Sequence, residues 1–268
     1  MDLQIRPKRD FRLHAVQERA SIRHRYVHGF EMATLICFGE MLLRLASPAP
    51  ELLLQSPRLD ARIGGAETNV AISLARLGHE VGAATVLPDN TLGKSCVALL
   101  RQHGIDTSPI RFRPGRLGLY FLEHGAGYRP AEVIYDRADS AFALAEPDLI
   151  PWRSVLQGAK WLHVSGITAA VSQRATDSIH AAMRAAREAE VAISFDCNFR
   201  ASLWAQSARD PRATLGALAG EADLVFGEER DLGLILGESF LAEDGKSALE
   251  HAANAAFRAF PRLQMLAT

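Results

Sequence analysis

Charge of one sign, long apolar runs and patterned cysteines are all missing from this chain, and each absence narrows what it can do. Its 268 residues carry 30 Lys and Arg against 31 Asp and Glu, a formal net charge of −1. No global basic field draws it to nucleic acid or to an anionic membrane. No apolar run approaches the roughly 20 residues of a membrane span. The three cysteines, Cys37, Cys96 and Cys197, are scattered and form no motif. That pattern suits a reducing cytoplasm and argues against a disulfide framework. No Gly-x-Gly-x-x-Gly follows the first apolar strand, which weakens a nucleotide-dependent redox function. No Ser-His-Asp set and no zinc-ligand spacing stands out.

What is present is a globular composition, 48% hydrophobic, enough for one large core or two small ones. Residues 1–31 differ from the rest. Arg6, Lys8, Arg9, Arg12, Arg19, Arg23 and Arg25 crowd together and apolar periodicity is poor. This stretch reads as a disordered or non-native extension, with Met32 as an alternative start. A basic binding arm or an organelle presequence is the other reading, and Asp2, Asp10 and Glu18 weigh against a presequence.

From Thr34 onward, short apolar strands alternate with helical periods. Leu35–Phe38, Val81–Val86, Trp161–Val164, Val191–Phe195 and Leu224–Phe226 read as strands. Helices are expected near Leu92–His103 and Ala175–Glu190. The alternation predicts an α/β fold with a mainly parallel, doubly wound sheet covered on both faces. Ligands of such sheets gather beyond the C-terminal ends of the strands. Residues 42–63 and 112–137 break the pattern with a period of two, as a small sheet would, and Gly125-Ala126-Gly127 suits a turn between two of its strands. Such a sheet makes a natural lid.

Gly64-Gly65-Ala66-Glu67-Thr68-Asn69 leads into a helix with Val70, Leu74 and Leu77 on one face and Gly78 as its stop. Paired glycines allow close backbone approach to a ligand, and the helix start offers free N–H groups. Asp196, Asn198 and Arg200 fall on one face if the chain stays extended; they suit an anionic ligand or a structural Asp–Arg pair with a capping Asn. Tyr135 and Arg137 share a strand face that Tyr120 can join, either as an exposed cross-strand pair or as a grip on a sugar acid. Glu228, Glu229 and Asp231 suit Mg²⁺ or the acidic first turn of a helix. His163 reads as a packed, hydrogen-bonded residue.

Taken together, Phe38-Gly39-Glu40, the Gly64–Gly78 string, Gly118-Leu119-Tyr120, Tyr135-Asp136-Arg137, His163 to Thr168 and Asp196 to Arg200 resemble the PfkB (ribokinase-like) carbohydrate kinases. Within that family the resemblance is to 2-keto-3-deoxygluconate kinases. It implies a ribokinase-like αβα domain over 32–268, a β lid, ATP with Mg²⁺, a small sugar acid as substrate and a homo-oligomer formed through the lid. Fructokinase or ribokinase activity is the alternative within the family. A non-catalytic sugar-binding or dimerising remnant is the alternative outside it.

By the same resemblance Gly65, Ala66, Glu67, Thr68 and Asn69 line the sugar site, with Tyr120, Tyr135 and Arg137 reaching in from the lid and Ile167 from a strand end. Arg200 bridges sugar and phosphate; Asn198 and Glu228 lie by the nucleotide, although relatives carry Asn or Ser at the latter position. The family's Gly-Ala-Gly-Asp loop, which holds the general base and the anion hole, is not among the 268 residues; Gly-Ala-Gly occurs only at 125–127, followed by Tyr128. The resemblance therefore predicts a C-terminally shortened kinase, inactive as it stands.

Overall fold

Short apolar runs closed by glycine or polar residues become the strands of a seven-stranded sheet. The computed structural model describes residues 5–7, 33–240 and 245–268. In chain order the elements are β1 (Ile5–Pro7), β2 (Leu35–Phe38), β3 (Leu42–Ala46), β4 (Asp60–Gly64), α1 (Ala66–Arg76), β5 (Val81–Ala84), β6 (Val86–Pro88) and α2 (Thr91–Gln102). β7 (Arg111–Arg113), β8 (Gly118–Glu123), β9 (Glu132–Asp136), α3 (Trp152–Val155), β10 (Trp161–Ser165), α4 (Gly166–Val171), α5 (Gln173–Glu188) and β11 (Ala192–Asp196) follow. The chain continues through α6 (Ala201–Trp204), α7 (Pro211–Gly220), β12 (Leu224–Phe226), α8 (Glu229–Leu236), α9 (Gly245–Ala259) and β13 (Met265–Ala267).

The main sheet has the order β1-β13-β12-β11-β10-β2-β5, parallel throughout except for β1, which runs antiparallel to β13. Of the extension expected over 1–31, only Ile5–Pro7 is described, as this edge strand; the rest of that expectation lies outside the described residues. The chain steps from β2 to β5 in one direction, then returns to β10 and marches the other way through β11, β12 and β13. Parallel crossovers are right-handed, so reversing direction moves the helices to the opposite face. α1 and α2 accordingly pack on one side, around Cys37, Val81 and Ala83. Helices α4, α5, α7, α8 and α9 pack on the other, around Ile36, Leu162, Ile193, Phe195, Val225 and Leu266. The expectation of two covered faces holds over β2 and β5 and along part of β10, which α1 also reaches. Over β11–β13 no helix among the described residues covers the α1 side; Leu224 and Phe226 of β12 are half-buried there, as is Trp161 at the start of neighbouring β10.

The expected strand Val81–Val86 is split. β5 stays in the main sheet, whereas β6 turns away to pair with β7. The lid is a four-stranded sheet, β4-β3-β8-β9. Its register sets Arg62, Arg44, Tyr120 and Tyr135 in one row across all four strands. That row shares a face with Leu42, Leu122 and Val133, which line a cavity between lid and sheet.

Candidate active site

The chain's reversal of direction opens a crevice between β2 and β10, at their C-terminal ends. The loop Gly64-Gly65 and the start of α1 form one wall. Gly65 caps α1 without any side-chain cap, which leaves the positive end of the helix at the crevice. A side chain there is excluded by close approach: a Cβ on Gly65 would stand 2.5 Å from the Glu40 carbonyl oxygen. Ile167, just beyond β10, forms the floor, and the lid row supplies the roof.

The resulting cavity holds about 270 Å³. Of the residues assigned to the sugar by resemblance, Gly65, Ala66, Asn69, Tyr120, Tyr135, Arg137, Ile167 and Arg200 line it. Tyr120 and Tyr135 face each other across the lid strands with ring centroids 6.3 Å apart. Glu67 and Thr68 do not line it; they are buried behind the wall. Thr168 Oγ1 donates to Glu67 Oε1 at 2.6 Å, which joins α1 to α4, while Glu67 Oε2 has no partner among the described residues. Burial pushes the Glu67 carboxyl up from 4.5 to about 7, against the smaller opposing effects of its hydrogen bonds and of Arg137.

A second cavity of about 490 Å³ shares Ala66, Asn198 and Arg200 with the first and extends over Gly227, Glu228, Arg230 and Asp231. The chain does not stay extended from Asp196 to Arg200. Strand β11 ends at Asp196, and Asn198 takes a left-handed φ of 38°, a conformation Asn tolerates. The turn is closed by Asn198 N–H donating to Asp196 Oδ1 at 3.1 Å and Asn198 Nδ2 donating to Ser165 Oγ at 3.0 Å. It still brings all three residues to the second cavity, by a tight turn rather than by strand spacing. Asn198 Oδ1 is buried with no partner among the described residues. Burial lifts the Asp196 carboxyl to about 6, with Asn198 N–H and Arg200 opposing and Asp231 reinforcing. Glu228 and Asp231 form the capping box at the start of α8, so the acidic-first-turn reading describes their local role. No group of three or more His, Cys, Asp or Glu side chains among the described residues is placed to hold a metal.

Arg137 departs most from the sequence expectation. It lies one residue past the end of β9 and is 4% exposed. Its Nε donates to Glu40 Oε2 at 2.6 Å, and Ser140 Oγ donates to Glu40 Oε1 at 2.6 Å. Sequence reasoning gave Glu40 no role. The available signal was a carboxylate between Phe38 and Met41, in a run too apolar to carry a free charge. His163, expected as a packed residue, is buried and bonded through Nδ1 to Ser194 Oγ at 2.9 Å.

Residues 32–259 match the profile of the pfkB family carbohydrate kinases. A 2-dehydro-3-deoxygalactonokinase of Haloferax volcanii is 35% identical over 204 residues, 76% of this chain and 63% of that protein. A probable fructokinase-3 of Arabidopsis thaliana is 30% identical over 198 residues, 73% of this chain and 56% of that protein. The chain thus spans less than two thirds of the length of both curated relatives. The crystal structure of a 2-dehydro-3-deoxygluconokinase from Thermotoga maritima shares the fold with a TM-score of 0.79 at 35% identity, covering 86% of this chain and 70% of that one. A crevice at the sheet's point of reversal, a lid above it and a family profile that runs through both agree: the chain belongs to the pfkB family of carbohydrate kinases.

Proposed function

We propose that these residues form the sugar half of a kinase that phosphorylates a 2-keto-3-deoxy sugar acid, such as 2-keto-3-deoxygluconate, with ATP and Mg²⁺. The carrying observation is the pair of joined cavities, the smaller one bounded by Arg137 and Arg200 and roofed by Tyr120 and Tyr135. Two guanidinium groups suit a carboxylate, which fructose and ribose lack. Tyrosine hydroxyls and the Asn69 amide suit a polyol. Two of the three similar proteins are named as kinases of 2-dehydro-3-deoxy sugar acids.

In this reading Arg200 lies between sugar and transferred phosphate, and Asn198, Glu228 and Arg230 border the nucleotide. The unpartnered Asn198 Oδ1 is an acceptor available to a bound group. Mg²⁺ bound with the phosphates would supply charge neutralisation beside Arg200. A general base and an anion hole from a Gly-Ala-Gly-Asp loop are not among the 268 residues, so these residues account for the sugar side of the site and the nucleotide border only. The outer lid face, with Leu43, Leu45, Leu119, Phe121 and Ile134, is the surface through which two copies pair. The three free cysteines suit the cytoplasm.

Thermal shift with 2-keto-3-deoxygluconate, fructose and ribose tests the substrate. The acid raises the melting temperature and the neutral sugars do not. A larger shift with fructose overturns the sugar-acid reading in favour of a fructokinase-like site. ADP release by the purified chain at a kinase-like rate, roughly 1–100 per second, overturns the expectation of no turnover. Light scattering that gives a monomer at all concentrations removes the lid pairing.

A further inference from the structure

Arg137 and Glu40 are 97 residues apart in sequence and meet where three parts of the molecule join. Glu40 follows β2 in the main body. Arg137 leaves the last lid strand. Ser140 lies in the loop that returns from the lid, fully buried, and its Oγ also accepts from the Ala143 N–H at 3.0 Å. The Glu40 carboxylate spends Oε2 on Arg137 and Oε1 on Ser140, both at 2.6 Å. Gly118 opens β8 directly against it: a Cβ there would stand 2.4 Å from Glu40 Oε1. The carboxylate is therefore fixed from three sides and 1% exposed.

A guanidinium is planar, so holding Nε in one hydrogen bond fixes the orientation of the whole group. Among the described residues nothing accepts from the two terminal nitrogens of Arg137, although Arg137 lines the smaller cavity. A buried guanidinium without a counter-ion would be expelled toward solvent, because an uncompensated buried charge is costly. Glu40 removes that cost and leaves the terminal fork free.

We infer that Glu40 is a positioning residue: it holds Arg137 by Nε so that the two terminal nitrogens stand preset for the carboxylate of the sugar acid. This rests on the sugar-acid reading of the cavity. It makes recognition of the acid a matter of donor geometry rather than of surplus positive charge, since the pair carries no net charge. Preorganised donors bind without first losing side-chain freedom.

The measurement is calorimetric binding of two ligands to the purified 268-residue chain. One is 2-keto-3-deoxygluconate; the other is 3-deoxyfructose, which has an alcohol in place of the C1 carboxylate. Glu40→Gln keeps the length and loses the charge that holds Nε. It is expected to weaken the acid about 10-fold or more and the neutral sugar less than 2-fold, so the ratio of the two dissociation constants collapses. Ser140→Ala keeps the ion pair, frees one carboxylate oxygen and is expected to lower that ratio about 3-fold. A merely structural role moves both ligands in parallel and leaves the ratio unchanged.

An unchanged ratio in folded Glu40→Gln overturns the inference, as does tighter acid binding, which would mean that Glu40 acts by opposing charge. If Glu40→Gln does not fold, the ratio in Ser140→Ala decides alone. Failure of the unaltered chain to prefer the acid overturns the sugar-acid reading, and this one with it. A preference that survives both substitutions overturns only the role of Glu40.

Discussion

The two faces of the main sheet are made by the same strands and have opposite fates. On one face Ile36, Leu162, Val164, Ile193, Phe195, Val225 and Leu266 are closed off by α4, α5, α7, α8 and α9. On the other, Leu35, Trp161, His163, Ser194, Leu224 and Phe226 alternate with them along the same strands and line an open groove of about 540 Å³ with Val70 and Leu74 of α1. The difference follows from chain direction, not from strand composition. Right-handed crossovers put every helix of the march from β10 to β13 on one side, and only the short step from β2 to β5 places helices on the other. The reversal that makes the faces unequal also opens the crevice holding the candidate site.

The largest test of that inequality is a matched pair of truncations. Phe195→Ala on the closed face is expected to cost about 3–5 kcal/mol, because it leaves a cavity that its neighbours only partly fill. Phe226→Ala, on the neighbouring strand but on the open face, is expected to cost about 1 kcal/mol, the loss of partial burial alone. Urea denaturation at pH 7 gives both values. Equal losses would mean that the two faces are equally enclosed, and the comparison would fail.

The sheet was readable in the sequence because its signals are local. Leu35–Phe38 is an uninterrupted apolar run ended by Gly39, Trp161–Val164 is apolar but for His163 and leads to Ser165-Gly166, and α1 carries its own start and stop. The site was half-readable for the same reason. The Gly64–Asn69 wall is one contiguous string, and Tyr120 and Tyr135 keep strand periodicity. What escaped depends on long-range or unusual geometry. Nothing near Glu40 in the chain points to Arg137. Asn198 leaves the extended conformation at one residue, which breaks the strand spacing from Asp196 to Arg200. Thr68 and Glu67 belong to the motif but point behind the wall, since successive residues on a helix face directions about 100° apart.

Glu67 sharpens the comparison, because its bond with Thr168 ties α1, on the open side, to α4, on the closed side. Its carboxyl is raised by burial from 4.5 to about 7. The folded chain therefore keeps a proton that the unfolded chain releases between those values. Stability attributable to Glu67 is full below pH 4.5, falls as pH rises through about 7, and is level beyond, a change of up to about 3 kcal/mol. Glu67→Gln keeps an acceptor for Thr168 and has no proton to lose. The variant is expected to show a shallower fall in stability between pH 4.5 and 7 and to be at least as stable as the parent at pH 8. Parallel pH profiles for the two proteins would mean that Glu67 is already ionised in the folded chain and that this joint between the two sides is wetter than its burial indicates.

The smallest expected effect reads the open face most directly. His163 and Ser194 are neighbours across β10 and β11, joined at 2.9 Å and 7% exposed each. Burial holds the imidazole down to about 4, so it is neutral at pH 7 and its ring nitrogens need partners. Ser194→Ala removes the partner of Nδ1. Were this pair on the closed face, the stranded nitrogen would carry the full cost of a buried unsatisfied group, about 1–3 kcal/mol. Because the pair borders the groove, water can replace the lost hydroxyl, and the expected cost at pH 8 is at most about 1 kcal/mol. A loss at the upper end of the buried range would show that water does not reach His163, and that the groove, though wide, is dry along its floor.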